Sequence, residues 1–289
     1  MRSIFALSAA VLALGTAAPA LAQAEDDGRR FEGFYVGGSF GGAFQSNDGA
    51  NSNSTILFDR NLDGRFGDTI TTTTGANAFG PSAGPNQGGF CGGSAFSNAA
   101  GGGCTGDLDG LEYYGRVGYD SYLGGLVVGI MAEGGRPEIR DSVTAFSSTP
   151  ASYIFTRELD YTGSIRGRFG YAAGGSTLFY ATGGVTYGRI KSSFATTNSV
   201  NTFTQRGKRD AWGASVGGGV EQLIGDNFSI GLEYLYTDIE DDDARVRVGP
   251  GTAPATNPFL LGGAGGTDFR RGDDQFRWHS FRVVANFRF

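Results

Sequence analysis

The stretch FRVVANFRF, residues 281–289, alternates without a break: Phe281, Val283, Ala285, Phe287 and Phe289 share one parity, and Arg282, Val284, Asn286 and Arg288 the other. Side chains along a β-strand point alternately to its two faces, so this segment has one apolar face and one that is mostly polar and charged. The apolar face must be covered by other protein or by lipid, because leaving it in water is unfavourable.

The same two-residue period recurs upstream. Phe34, Val36, Phe40 and Phe44 mark a first strand over 33–44, and Tyr113, Val117 and Tyr119 oppose Glu112, Arg116 and Asp120 over 111–120. Leu126, Val128, Ile130 and Ala132 then stand opposite Glu133. Over 158–171, Leu159, Tyr161, Ile165, Phe169 and Tyr171 alternate with Glu158, Asp160, Ser164, Arg166 and Arg168. Further strands follow at 179–187, at 212–221 with Glu221 on the polar parity, and at 228–237 with Glu233 there. With the closing strand the count is eight.

The connections sort by length. Residues 45–110, 136–153, 191–209 and 238–274 are long and lack sustained alternation, the first with room for short strands of its own, whereas 121–125, 173–176 and 225–227 are tight turns between them. Alternating long and short connections are what an even-stranded membrane barrel shows, with short turns on one side and long loops on the other. Closure into a barrel also removes sheet edges, whose unpaired backbone groups lipid cannot satisfy. The expected fold is all-β: an eight-stranded antiparallel transmembrane β-barrel with long extracellular loops.

The other end of the chain agrees. Residues 1–22 read as a secretory signal peptide, with Arg2, an apolar run over 4–14 and a small-x-small site at Ala20-Leu21-Ala22. The mature domain is then 23–289. No segment supplies the roughly 20 consecutive apolar residues of a membrane-spanning helix. With 51 glycines, 23 phenylalanines and 12 tyrosines in 289 residues, the composition is that of a closely packed β structure, since disorder would leave fewer aromatics. A formal charge of -6 argues against a nucleic-acid partner, which favours a basic surface.

Two cysteines, Cys91 and Cys104, lie in an exported chain, where close pairs form disulfides. A metal reading needs more ligands, and the one histidine, His279, is distant in sequence.

These residues resemble a known family, the eight-stranded opacity-type surface proteins, similar in architecture to the OmpA membrane domain. The likeness rests on GFYVGGSFGG at 33–42, YYGRVGYD at 113–120, IRGRFGYA at 165–172, YATGGVTYG at 180–188, GDNFSIGLEYLYTD at 225–238 and WHSFRVVANFRF at 278–289. It implies insertion in the outer membrane of a Gram-negative bacterium, contact with outer-membrane lipid and lipopolysaccharide, a monomeric state, and recognition of Phe287 and Phe289 by the barrel assembly machinery. The chain stops at the barrel, so the wall anchoring of OmpA itself is not implied.

Polar parity places Glu112, Arg116, Glu133, Glu158, Asp160, Arg166, Arg168, Glu221, Glu233, Arg282 and Arg288 in the lumen. Eight strands enclose a space that side chains can just fill, so charges of both signs should pair there. The same charges are compatible with a narrow solute pore. In the first loop, Asp59, Asn61 and Asp63 followed by Gly64 match the opening of a calcium loop, with Asp68 a further oxygen ligand; Ile70 stands where that loop needs its bidentate glutamate. An Asx-rich turn is the other reading, as a solvated loop is for the acidic run 240–243. No catalytic constellation is expected, because His279 and Ser280 are adjacent on a strand and face opposite ways. His279 is expected in an outer aromatic belt beside Trp278, with Phe44, Trp212 and Tyr236; Tyr119, Tyr171, Phe228 and Phe289 form the inner belt. The function expected is that of a structural, surface-exposed outer-membrane protein acting through its loops, with a small-solute porin as the alternative.

Overall fold

A computed structural model describes residues 29–45, 55–81, 88–207, 210–241 and 244–289. The expected signal peptide at 1–22, the mature start at Gln23, and part of the acidic run at 242–243 lie outside the described residues. Fourteen strands are present among them: β1 (Gly33–Phe44), β2 (Ile56–Asp59), β3 (Gly89–Gly92), β4 (Gly110–Leu123), β5 (Leu126–Pro137), β6 (Arg140–Ser147), β7 (Ala151–Ala173), β8 (Thr177–Thr196), β9 (Thr202–Arg206), β10 (Asp210–Ile224), β11 (Phe228–Glu240), β12 (Arg245–Gly249), β13 (Thr267–Arg271) and β14 (Gln275–Arg288).

Eight of them close a barrel. β1, β4, β5, β7, β8, β10, β11 and β14 pair in that order, each antiparallel to its neighbour, and β14 returns to β1 from Tyr35↔Arg288 to Phe44↔His279. The alternation of 281–289 sorts as the sequence predicts. Phe281, Val283 and Phe287 are exposed on the outer wall, while Arg282, Val284, Asn286 and Arg288 are buried inside. An apolar outer surface surrounds the whole barrel, including Phe34, Phe40, Val117, Ile130, Ile165, Phe179, Val216 and Leu232. Tyr119, Tyr171, Phe228 and Phe289 are exposed at the short-turn end, and Phe44 and Trp212 at the other.

Glycine on the inner parity makes room for rings. A Cβ on Gly118 would collide with the ring of Tyr35, and one on Gly219 would lie 2.7 Å from the Tyr180 hydroxyl. Large and small residues thus alternate around a lumen too narrow for large ones throughout.

The long connections differ from the expectation of irregular loops. Residues 136–153 form the β6–β7 hairpin, paired from Arg140↔Glu158 to Ser147↔Ala151. Residues 191–209 extend β8 and contain β9, and 238–274 contain β12, β13 and a 3-10 turn, Pro258–Leu260. β2, β13, β12 and β9 join as a separate four-stranded sheet. Its inner face carries Phe58, Phe269, Val246 and Val248, which pack with Val143, Tyr153 and Phe155 of the β6–β7 hairpin in one core. Loop composition hid these strands because they are short and become stable only by burying one face against another segment.

A bulge in β7 changes the parity of that strand. Register shifts between Leu159 and Tyr161, leaving Asp160 as the extra residue. Below it Tyr161 and Ile165 face outward; above it Tyr153, Phe155, Arg157 and Leu159 face inward. Glu158 and Asp160 therefore do not belong to the lumen. Glu158 pairs outside with Arg140 at 2.7 Å, and Asp160 is exposed. One inserted residue flips every side chain beyond it, and nothing in a two-residue period marks the insertion.

Cys91 and Cys104 are joined by a disulfide, separated by 13 positions. Cys91 lies in β3 at the margin of the main sheet, where, among the described residues, β3 pairs with β6 alone. Substituting both cysteines by alanine is expected to leave barrel folding, read as heat-modifiable gel mobility, unchanged. Protease cleavage should increase around 91–104, since a crosslink of this span contributes up to about 3 kcal/mol locally. Loss of the folded gel band would show that the bond supports the barrel itself.

Candidate functional site

Inside the barrel the nine remaining charges sort into layers, with residues the sequence reading left out. β14 crosses the lower layers in turn. Nearest the short-turn end, Arg288 reaches Asp120 at 2.9 Å and Glu221 at 2.7 Å, and Arg168 donates to Glu221 at 2.7 Å and to Asp120 through both Nε and Nη2. Two guanidiniums thus meet two carboxylates. Tyr35 lies between them, its ring centre 5.1 Å from Arg168 and 4.9 Å from Arg288. Below, Arg288 donates to the Phe31 carbonyl at 2.7 Å, and Phe31 packs with Val127, Leu178 and Leu223.

Six residues toward the N-terminus of β14, Arg282 enters a second layer. It donates to Glu112 at 2.8 Å and to Glu133 at 2.6 Å. Arg116 bridges Glu133 at 2.7 Å and Glu233 at 2.8 Å, and Arg166 reaches the same two carboxylate oxygens at 3.1 and 3.4 Å. Three guanidiniums meet three carboxylates. Tyr180 donates to Glu233 at 3.0 Å, Ser280 to Glu112 at 3.0 Å, and the Arg282 guanidinium stacks 4.1 Å from the Tyr114 ring centre. Glu112, Arg166 and Glu221 are fully buried. A buried charge without a partner would cost several kcal/mol, and neutral layers of this kind remove that cost.

Above the second layer the lumen is largely apolar, with a buried run of hydroxyls, Thr186, Ser215 and Thr237, along one wall. Trp278 and Phe276 of β14 pack with Ala43, Ile139, Leu159, Ile190, Ala211 and Ile239. Trp278 is therefore inside, not beside His279 in the outer belt, because neighbouring strand residues face opposite ways. His279 stays outside, its Nδ1 2.7 Å from the Tyr234 hydroxyl and its ring near Tyr236. Ser280 points inward onto Glu112, so the pair shares no proton.

A third ionic layer lies over the apolar one. Arg157 pairs with Asp141 at 2.7 Å, Asp241 at 3.4 Å and Asp273 at 3.8 Å; Arg271 chelates Asp141 with two contacts of 2.8 Å. Sequence reasoning missed all five because four sit in segments read as loops and Arg157 lies beyond the β7 bulge. Asp120 was visible on the polar parity of its strand, but a residue read as bordering a turn carries no mark of burial. Burial would raise the Asp141 carboxyl, and the Arg157 and Arg271 guanidiniums more than offset this, holding it below the usual carboxylate range. A carboxyl depressed in the folded state stabilises above its unfolded value, and that contribution goes as pH falls through the depressed one. The upper module is thus expected to loosen below about pH 4 while the barrel stays folded. Limited pepsin digestion at descending pH checks this; equal resistance of the module at pH 5 and pH 2 would count against it.

The candidate calcium residues Asp59, Asn61 and Asp63 share one turn, where both Asp59 and Asn61 accept the Asp63 N–H. The buried Asp59 carboxylate accepts the N–H groups of Asp63 and Gly64, Asp68 accepts that of Arg60, and Asp63 accepts that of Arg65. Their oxygens close an Asx-type turn. Among the described residues no group of three or more His, Cys, Asp or Glu is placed to hold a metal. Phe287 and Phe289, the expected assembly signal, are exposed on the outer wall at the short-turn end with ring centres 5.3 Å apart.

Residues 7–289 match the outer membrane protein beta-barrel domain family. The chain belongs to this family. Its lipid-facing wall, its belts and its localisation in the outer membrane follow from that membership and from the barrel. Curated relatives include the 31 kDa outer-membrane immunogenic protein of Brucella melitensis, 28% identical over 175 residues, which is 60% of this chain and 64% of that protein. The match thus spans just under two thirds of the Brucella protein. The 22 kDa outer membrane protein of Rhizobium leguminosarum bv. viciae is 36% identical over 83 residues, 29% of this chain and 35% of that one. Among solved structures, OprG from Pseudomonas aeruginosa is 12% identical over 89% of this chain and 96% of its own, with a TM-score of 0.48. Ail, the attachment invasion locus protein of Yersinia pestis, is 12% identical over 89% of this chain and 99% of its own, with a TM-score of 0.35.

Proposed function

We propose that this outer-membrane barrel is a closed, monomeric anchor, neither a pore nor an enzyme, whose work is done by the extracellular module it holds above the membrane. The observation that carries this reading is the charge balance of the lumen. Two against two and three against three, the buried charges are consumed by one another, and Trp278, Phe276 and Leu159 form an apolar plate across the path above them. A hydrated ion entering such a lumen would have to break several buried ion pairs with no water to replace them.

The upper module supports the second half of the reading. Two sheets packed over one aromatic core present a folded surface where plain loops would present a changing one, and folded surfaces make the better epitopes and contact sites. The Brucella relative's name marks that protein as immunogenic, which fits a surface-exposed role for this chain. Planar-bilayer recording of the purified protein tests the closed lumen. The expected record shows no steady openings; sizeable, long-lived openings from pure protein would restore the porin reading.

A further inference from the structure

The upper four-stranded sheet carries a row of like charge on its outer face. Arg206 of β9 is directly opposite Arg245 of β12, and Arg245 is directly opposite Arg270 of β13. Val246 and Phe269, their chain neighbours, point into the core, so the three arginines share the opposite face. Arg206 and Arg245 are exposed and Arg270 is half-buried. At about 4.8 Å between strands, the row is roughly 10 Å long. Like charges directly opposite one another on a sheet are unfavourable, and in a chain of net charge -6 such a concentration runs against the overall balance. Among the described residues none of the three makes an ion pair. The carboxylates of the next row are engaged elsewhere: Asp268 is held by Arg247 at 2.8 Å, and Asp59 by backbone N–H groups. Phe66 lies against the row, its ring centre 5.2 Å from the Arg245 guanidinium and 4.8 Å from that of Arg270.

The position of the row says what it faces. Arg206 is four residues before Asp210, where β10 begins; Arg245 is five after Glu240, where β11 ends; Arg270 is five before Gln275, where β14 begins. At ~3.3 Å per residue the row stands at most about 17 Å above the barrel rim. Of the two charged rows on this face it is the nearer to the membrane; the row of Asp268 and Arg247 lies two residues farther out. We propose that Arg206, Arg245 and Arg270 bind phosphate groups of the glycolipid in the protein's own outer leaflet. Guanidinium is suited to this because its planar fork meets phosphate oxygens two at a time. Phe66 holds two of the forks apart and gives the sugar portion an apolar face to lie against.

The test uses the full chain refolded in detergent, titrated with lipopolysaccharide and with the same lipopolysaccharide after enzymatic dephosphorylation. Wild type should bind the phosphorylated form at least tenfold more tightly. The triple variant Arg206→Gln, Arg245→Gln, Arg270→Gln should lose that preference while keeping its heat-modifiable mobility, and the triple Arg→Lys variant, which keeps the charge without the fork, should retain only part of it. Should the triple Gln variant misfold, Arg206→Gln alone, on the exposed β9, should weaken binding about threefold. Equal binding of both lipid forms by wild type, or undiminished preference in the folded triple Gln variant, would overturn the proposal. So would tighter binding of heparin than of lipopolysaccharide through the same residues, which would assign the row to a soluble polyanion.

Discussion

Glu133→Ala is expected to lower the unfolding free energy by about 3–5 kcal/mol, the typical result of removing one partner from a buried ionic cluster. Glu133 accepts from Arg116 at 2.7 Å, Arg282 at 2.6 Å and Arg166 at 3.1 Å, so its removal leaves three guanidiniums facing only Glu112 and Glu233. The penalty is the stranded positive charge more than the lost contacts. Combining Glu133→Ala with Arg116→Ala restores two against two, and the double variant should lose clearly less than the sum of the singles. Urea unfolding in lipid vesicles, followed by gel mobility, measures both. A loss under about 1 kcal/mol for Glu133→Ala would mean that water reaches the layer freely, which would also remove the main support for a closed lumen.

Trp278→Ala should cost a similar amount, about 3–5 kcal/mol, by a different route: the large buried ring leaves a cavity its neighbours cannot fill. Trp278 is 1% exposed and packs edge-on against Phe276, 5.9 Å between ring centres. Conductance should nevertheless stay closed, because the ionic layers of Arg282 and Arg288 below are untouched. The two variants therefore separate stability from closure. Opening of a steady channel by Trp278→Ala alone would place the barrier in the apolar plate and make the ionic layers a permeable filter.

The layers also divide the labour along the strands. Within the outer-membrane span, paired charges and glycine-made space let side chains fill the lumen. Above it, an aromatic core of Phe58, Phe79, Tyr153, Phe259 and Phe269 holds two sheets together. Arg157 and Arg271 join the two regions: Arg157 contacts the Gln275 carbonyl at the start of β14, and Arg271 is the last residue of β13. Weakening that joint should free the module without opening the barrel, which is why its acid sensitivity is expected to be local.

Sequence alone determined the barrel. Period-two alternation is a local property, readable from 281–289 and seven similar stretches, and it assigns inside and outside without knowledge of any partner strand. The sorting of connections into long and short added closure and orientation. Tertiary structure decided the rest. The Asp160 bulge, invisible to a period, moved Glu158 outside and brought Leu159 and Arg157 inside. The upper module arises from strands of four or five residues that gain order only when segments as distant as Ile56 and Arg271 pair. Which arginine meets which carboxylate depends on the register and stagger of eight strands at once, a non-local quantity that no single segment encodes.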